Sequence, residues 1–421
     1  MQRRRAVAAF GIYAATALGV AGSLVVFRVL GPEGAGRYSI VMGLMSFLSL
    51  LLELTSDEAL VKYGFRYAAR EDWGRFHRLV RLAFGFELGT AVFSGLLIAG
   101  IAPFAGSIFH HARGLENAMF VAAPLPALEA VEAMGAVSLI LRTRYDLRGI
   151  SLAGSMGLRL AGLAVGAPHG VTAAILGVLA AQTVTSTGVG AAGLLALRRF
   201  PAARPAPLAD DRRPILGFVA QSSLDTGLVS FRTWIAPLTL GIVRNTVDVG
   251  LFRGAQAPQT AFAALSSPAR MILLTEQTRD WEHDRAGRVF AGIRRYVVGS
   301  TAAMLVLLPL LIWSMPWLVR LFLGHRYVPA TDAARLIVVA AAIQLVFGWT
   351  KPFAVTAGRP GLRLVAHGIE SAVLLPLILL LGWRYGVTGA AAAVAIAAAA
   401  HALVWSVIVV RLREAHVTSA A

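Results

Sequence analysis

The chain has 421 residues, of which 57% are hydrophobic and only 14% charged, against about 25% charged in a soluble globular domain. Apolar runs recur along its whole length, more than a soluble core absorbs, so the composition specifies an integral membrane protein. There is no cysteine, which excludes disulfides and thiolate metal sites, and the net charge of +17 is dispersed over separate loops, which argues against a nucleic-acid partner.

In chain order, segments long enough to cross a bilayer, about 20 residues each, predict twelve helices. The first half holds Ala6–Leu30, Tyr38–Leu60, Leu79–Ala102, Ala118–Leu141, Gly149–Ala167 and Val171–Leu197. The second holds Ile215–Ile242, Val249–Thr275, Tyr296–Leu318, Ala334–Val355, Leu364–Gly382 and Val387–Val410. The expected fold is an all-α polytopic membrane protein of two pseudo-symmetric six-helix lobes, residues 1–200 and 214–421. A cytoplasmic linker at 201–213 joins them, rich in proline and charge. The apolar stretch behind Arg3, Arg4 and Arg5 is longer than the about 7–15 residues of a signal peptide, so it reads as an uncleaved first span.

Arginines fix the direction. The connections at Lys62–Arg78, Arg142–Arg148, Arg198–Arg213, Arg279–Arg295, Arg359–Arg363 and Arg411–Arg413, with the N-terminus, carry most of them; the alternate connections carry few. Cytoplasmic loops hold the excess of Lys and Arg, so both termini are expected in the cytoplasm. The same residues suit anionic membrane lipids, at about 1 kcal/mol each near the surface. No Walker A loop precedes either lysine, Lys62 or Lys351. The loop from Glu276 to Arg295 reads either as an amphipathic helix on the inner surface or as a solvated loop.

Ionisable side chains inside apolar helices cost about 2.5–3.5 kcal/mol at mid-bilayer and so tend to face a cavity or a partner. Arg28 stands near the outer end of the first span, and Glu53 and Asp57 share a face of the second. Asp225 and Arg232 share a face of the seventh, and Arg253 and Arg270 stand at opposite ends of the eighth. The bland readings are snorkelling for Arg28, Arg253 and Arg270, and a mutual ion pair for Asp225 and Arg232. Glu129 and Glu132 are further candidates for a cation site, whereas Glu370 reads as an interhelical pair. His110 and His111 read as loop residues, and His169, His325, His367 and His401 as scattered singles without metal-ligand spacing. Pro237, Pro268, Pro309, Pro352 and Pro376 are expected kink points, with Lys351-Pro352 a possible hinge.

The halves repeat themselves. Gly170-Val171-Thr172 opens one span and Gly386-Val387-Thr388 another, about 216 positions on, while the hairpin at Gly31–Tyr38 matches Gly241–Phe252 at nearly the same offset. Internal duplication of this kind builds many transporters, with the substrate path between the halves.

The hairpin Leu30-Gly31-Pro32-Glu33-Gly34-Ala35-Gly36-Arg37-Tyr38-Ser39 resembles that of bacterial oligosaccharide flippases of the Wzx type, in the multidrug/oligosaccharidyl-lipid/polysaccharide exporter superfamily. Val249-Gly250-Leu251-Phe252 with Ala255 and Pro268, then Tyr327, Ala330 and Ala334, then Gly386 to Ala391 are similar to later segments of the same group. The resemblance implies two six-helix lobes around a cationic cavity, alternating access, and a bacterial cytoplasmic membrane location. It implies a flippase, not an enzyme, for an undecaprenyl-diphosphate-linked oligosaccharide. Arginine matches phosphate oxygens bidentately, so Arg28, Arg232, Arg253 and Arg270 are the candidates for the diphosphate. Glu53, Asp57 and Asp225 are the candidate coupling or gating carboxylates, with H+ or Na+ as coupling ion and no other cofactor or metal. A monomer is expected, with a glycan polymerase or ligase as possible partners. The alternatives are a cation-coupled multidrug exporter and a lipid II flippase, the latter disfavoured because about twelve spans fall short of the fourteen its branch implies.

Overall fold

The computed structural model describes residues 2–52, 56–109, 112, 114–260, 262, 277, 280–281, 286–350, 353–354 and 361–420. Among them every regular element is helical: α1 (Gln2–Leu52), α2 (Ser56–Ala69), α3 (Trp73–Ile101), α4 (Ala105–Ile108), α5 (Leu115–Ala122), α6 (Leu125–Leu141), α7 (Tyr145–Gly166), α8 (Val171–Leu197), α9 (Arg212–Val243), α10 (Thr246–Ala255), α11 (Ala286–Phe322), α12 (Thr331–Val346), α13 (Gly361–Leu377) and α14 (Trp383–Ala420). The expected all-α polytopic fold is the one found. Eight helical segments of the described residues are long and apolar enough to cross a membrane, and a bent pair within α9 makes a ninth.

Of the two longest of these segments, Gly361–Leu412 contains two expected spans and Val7–Leu52 holds the first and most of the second, whose last residues instead begin α2 at Ser56. Glycines mark the division. Gly31 (φ 66°, ψ −178°) breaks α1 before Pro32, and Gly386 (φ 59°, ψ −133°) breaks α14. Both φ values lie in the left-handed region, which glycine enters without the cost a Cβ imposes. The bend in α9 is 45°, between Leu228 and Thr233. Thr233 is four residues before Pro237, whose ring clashes with that carbonyl and removes one helical hydrogen bond. After Pro376 the chain runs through a π turn at Ile378–Gly382. Pro268, Lys351 and Pro352 lie outside the described residues, as does most of the eighth expected span after α10.

The chain divides into two compact units, Met1–Trp234 and Ile235–Ala421. In the first, the Asp72 side chain caps α3 by accepting the Arg75 N–H at 3.1 Å. Around it Leu60, Tyr63, Tyr67, Phe76 and Leu79 form a buried cluster that also takes in Leu208 and Ile215. Residues 201–213 therefore do not hang free. The Ala206 N–H donates to Gly74 O at 3.0 Å, a ring nitrogen of His77 lies 2.9 Å from Pro201 O, and Tyr67 donates to Asp211 at 2.9 Å. Each large side chain buried here contributes about 1.5–3 kcal/mol, which fixes the segment to the basic end of α2 and α3.

In the second unit, Val289, Ile293, Trp349, Phe353, Ala366 and Trp405 form an aromatic core. Residues 286–295 begin α11, so this part of the Glu276–Arg295 loop is the first turns of a long helix, with Val289 and Ile293 facing protein. Further along α11, Leu305, Val306 and Trp313 are exposed, as a lipid-facing surface requires.

Candidate functional site

In the first unit, Arg28 is an exposed residue of α1, one turn before the break at Gly31. Asp57 is half-buried in the first turn of α2 and accepts the Glu58 N–H at 2.7 Å. Two acidic residues in a first turn face the partial positive charge of the helix N-terminus, which favours them there. Around this turn a carboxylate cluster forms. Ser56 donates to Glu87 at 2.9 Å, Glu87 on α3 is buried, and Ser222 on α9 donates to Glu58. From the sequence Glu87 reads as an interhelical pair or a snorkelling end of the third span. Its side chain is buried because α3 packs on α2, a pairing that a single helix pattern does not display.

Glu53 and Arg270 lie outside the described residues, as do His110 and His111. Asp225 and Arg232 belong to α9, but their side chains are outside the described set. Glu132 is tied into an interhelical network: Gln182 donates to it at 2.7 Å and Thr185 at 3.4 Å, and Gln182 also donates to Ser186. Glu129 faces Arg159 at 4.0 Å. These two carboxylates clamp α6 to α8 and α7.

At the basic end of the first unit, Arg142, Arg144 and Arg199 line a cavity of about 420 Å³ with Leu139, Leu147 and Leu195. The Arg142 guanidinium lies 4.9 Å from the Phe200 ring centroid and Arg144 pairs with Asp146 at 3.2 Å. Sequence reasoning takes these arginines as topology markers; their convergence comes from three helix ends meeting.

In the second unit, Asn245 caps α10 by accepting the Asp248 N–H at 2.8 Å. That sets the register that leaves Arg253 half-buried, its Nη1 donating to Gln256 at 2.9 Å. Gln259 donates to Gln344 on α12 at 2.9 Å, extending a polar strip. A separate cluster joins His367 and Glu370 on α13 to His401 on α14. His367 and His401 are thus not scattered singles. The turn at Gly386 folds α14 back along α13 and brings the rings to a stack with 5.0 Å between centroids.

No protein-family model matches this sequence, and no curated protein matches it. Solved structures do. The chain is similar to the lipid II flippase MurJ in an inward closed conformation (TM-score 0.75, 12% identity, 95% of this chain and 87% of that one). It is similar to an inward-facing multidrug resistance MATE family transporter of the MOP superfamily (TM-score 0.71, 15% identity, 95% and 96%). A MOP superfamily transporter from Pyrococcus furiosus, described as having a binding pocket of reversed polarity, follows at TM-score 0.55 and 15% identity, covering 94% and 92%. The protein is a multi-pass membrane protein with the fold of MOP superfamily transporters. At these identities the likeness establishes the fold, shared by a flippase and by drug transporters alike.

Proposed function

We propose that this protein is a flippase that carries an undecaprenyl-diphosphate-linked oligosaccharide across the bacterial cytoplasmic membrane by alternating access, for cell-surface polysaccharide assembly. The observation that carries the reading is the sign of the charge set into the apolar helices nearest each hairpin: Arg28 on α1 and Arg253 on α10. A diphosphate is polyanionic, and a guanidinium offers it a planar pair of donors. Gln256 holds Arg253 in place and orders it for such a contact. In this reading Arg232 and Arg270 join the headgroup path, and Glu53, Asp57 and Asp225 gate it or bind a coupling H+ or Na+. The likeness to a lipid II flippase supports a lipid-linked substrate. The protein does no bond chemistry in this cycle.

A cation-coupled multidrug exporter is the second reading. The cluster of Asp57, Glu58 and Glu87 favours it, because carboxylates suit cationic drugs, and so does the likeness to MATE transporters.

The deciding experiment compares cells with and without the gene. Lost surface glycan together with accumulated undecaprenyl-linked precursor supports the flippase. Unchanged glycan with new sensitivity to cationic drugs supports the exporter and overturns the first reading.

A further inference from the structure

We propose that His367, Glu370 and His401 form a binding site for one divalent transition-metal cation of the zinc class, placed inside the second unit and independent of the substrate reading above. The three donors lie within 4.8 Å of one another. Glu370 Oε2 is 3.1 Å from His367 Nδ1 and 3.2 Å from His401 Nδ1. Metal bonds of about 2.0–2.2 Å opening at tetrahedral angles set neighbouring donors about 3.3–3.6 Å apart. Both separations from Glu370 to a histidine stand within a few tenths of an ångström of that spacing.

Local structure explains the convergence. His367 and Glu370 are three apart on α13 and share a face, and His401 meets that face from α14. The residues are 4%, 3% and 8% exposed, respectively. Trp405 flanks the cluster, its ring centroid 6.5 Å from that of His401, and Trp349 packs in turn against Trp405 at 5.9 Å. A carboxylate held in such a shell demands positive charge or donated protons.

Two further observations favour a cation. His401 Nδ1 is buried and makes no hydrogen bond among the described residues, although it stands 3.2 Å from Glu370 Oε2. The contact lacks hydrogen-bond geometry, so the buried His401 Nδ1 is left without a hydrogen-bond partner among the described residues, a place that a cation can take. Ser371 Oγ, one turn beyond His367, is also buried without a hydrogen-bond partner among the described residues, and a hydroxyl there can supply a further oxygen.

The donor set selects the ion. Two imidazoles and one carboxylate suit Zn2+, Co2+ or Mn2+, whereas the hard cations favour all-oxygen cages. The site is therefore distinct in kind from a sodium-coupling site. Bound metal staples α13 to α14 beside the aromatic core.

The test uses the full-length protein in detergent, stripped with chelator and titrated with zinc chloride. Zinc retained after desalting is counted, and the thermal midpoint is followed. The expected result is about one zinc per chain and a raised midpoint, with affinity falling at least about tenfold in both Glu370→Gln and His401→Gln. Glu370→Gln conserves shape and His401→Gln stays polar and of similar size, while His325→Ala, at an exposed histidine, keeps the wild-type zinc content. Cobalt substitution gives a second readout: a ligand-field band in the visible that Glu370→Gln shifts or abolishes. No stoichiometric zinc in the wild type overturns the proposal and leaves the triad a proton-sharing cluster. Equal zinc content in the wild type and both variants overturns it as well.

Discussion

Gly162 on α7 and Gly177 on α8 meet backbone to backbone, each so near the other's carbonyl that a Cβ on either would fall inside the opposing oxygen. Helices in lipid gain little from hydrophobic exclusion and associate through such small-residue contacts. Gly162→Ala or Gly177→Ala forces the helices apart and should cost about 1–3 kcal/mol or more. Fluorescence-detected size exclusion after heating reads this as a lower melting point. Gly154→Ala, on the same α7 with nothing within 4 Å of its Cβ position, should leave the melting point unchanged or raise it slightly.

Tyr67 and Asp211 give a pH prediction outside the membrane spans. Burial, and then the Asp211 carboxylate that accepts its hydroxyl, push the Tyr67 phenol up to about 12. An unfolded tyrosine titrates near pH 10. The raised folded value means the contribution is complete below about pH 10 and is lost as pH rises through about 12. Melting curves between pH 8 and pH 12 should fall more steeply above pH 10 in the wild type than in Tyr67→Phe. Parallel curves would show that Tyr67 keeps an ordinary affinity for its proton.

Charge reversal tests the headgroup path. Arg253→Glu, and separately Arg232→Glu, should reduce glycan export in complemented deletion cells below about one-tenth of wild type, because a lost hydrogen bond to a charged group costs about 1.5–3 kcal/mol. Membrane-fraction blots check that insertion is intact. Arg320→Glu, at an exposed site on α11, should complement fully. Full complementation by either of the first two variants removes that residue from the path.

Glu132 is assigned to structure. Glu132→Ala leaves one Gln182 N–H without its acceptor, the other still bonded to Ser186, and should destabilise by about 1–3 kcal/mol. Export per folded molecule should stay unchanged, measured as glycan signal divided by membrane protein. A fall in that ratio would return Glu132 to the transport site.

Much of the fold is legible in the residues because apolar length and glycine placement are local. Gly170 and Gly386, matched in the repeat, both adopt positive φ and both stand where a new span starts. Gly31 does the same at the first hairpin. What stayed hidden depends on packing between helices. His367 and Glu370 share a helical face within a few residues, but only the return of α14 supplies His401. Glu87 reads as an interhelical pair or a snorkelling end, but its partner, Ser56 on α2, appears only in the packing. The basic cavity at Arg142, Arg144 and Arg199 likewise needs three helix ends to converge. Of the expected diphosphate residues, Arg28 stands on α1 and Arg253 on α10, while Arg270 falls outside the described residues.

The anchoring of residues 201–213 onto α2 and α3 bears on how duplicated halves can be exchanged. By repeat, the seam falls near Pro214; by packing, the first unit runs on to Trp234. A chimaera joined at position 200 would strip the first half of Leu208, Asp211 and Ile215 and expose Tyr67 and Phe76. A crossover placed beyond position 219 keeps that floor intact, so recombination between related transporters should succeed inside α9 and fail in the proline-rich stretch that sequence alone recommends as the joint.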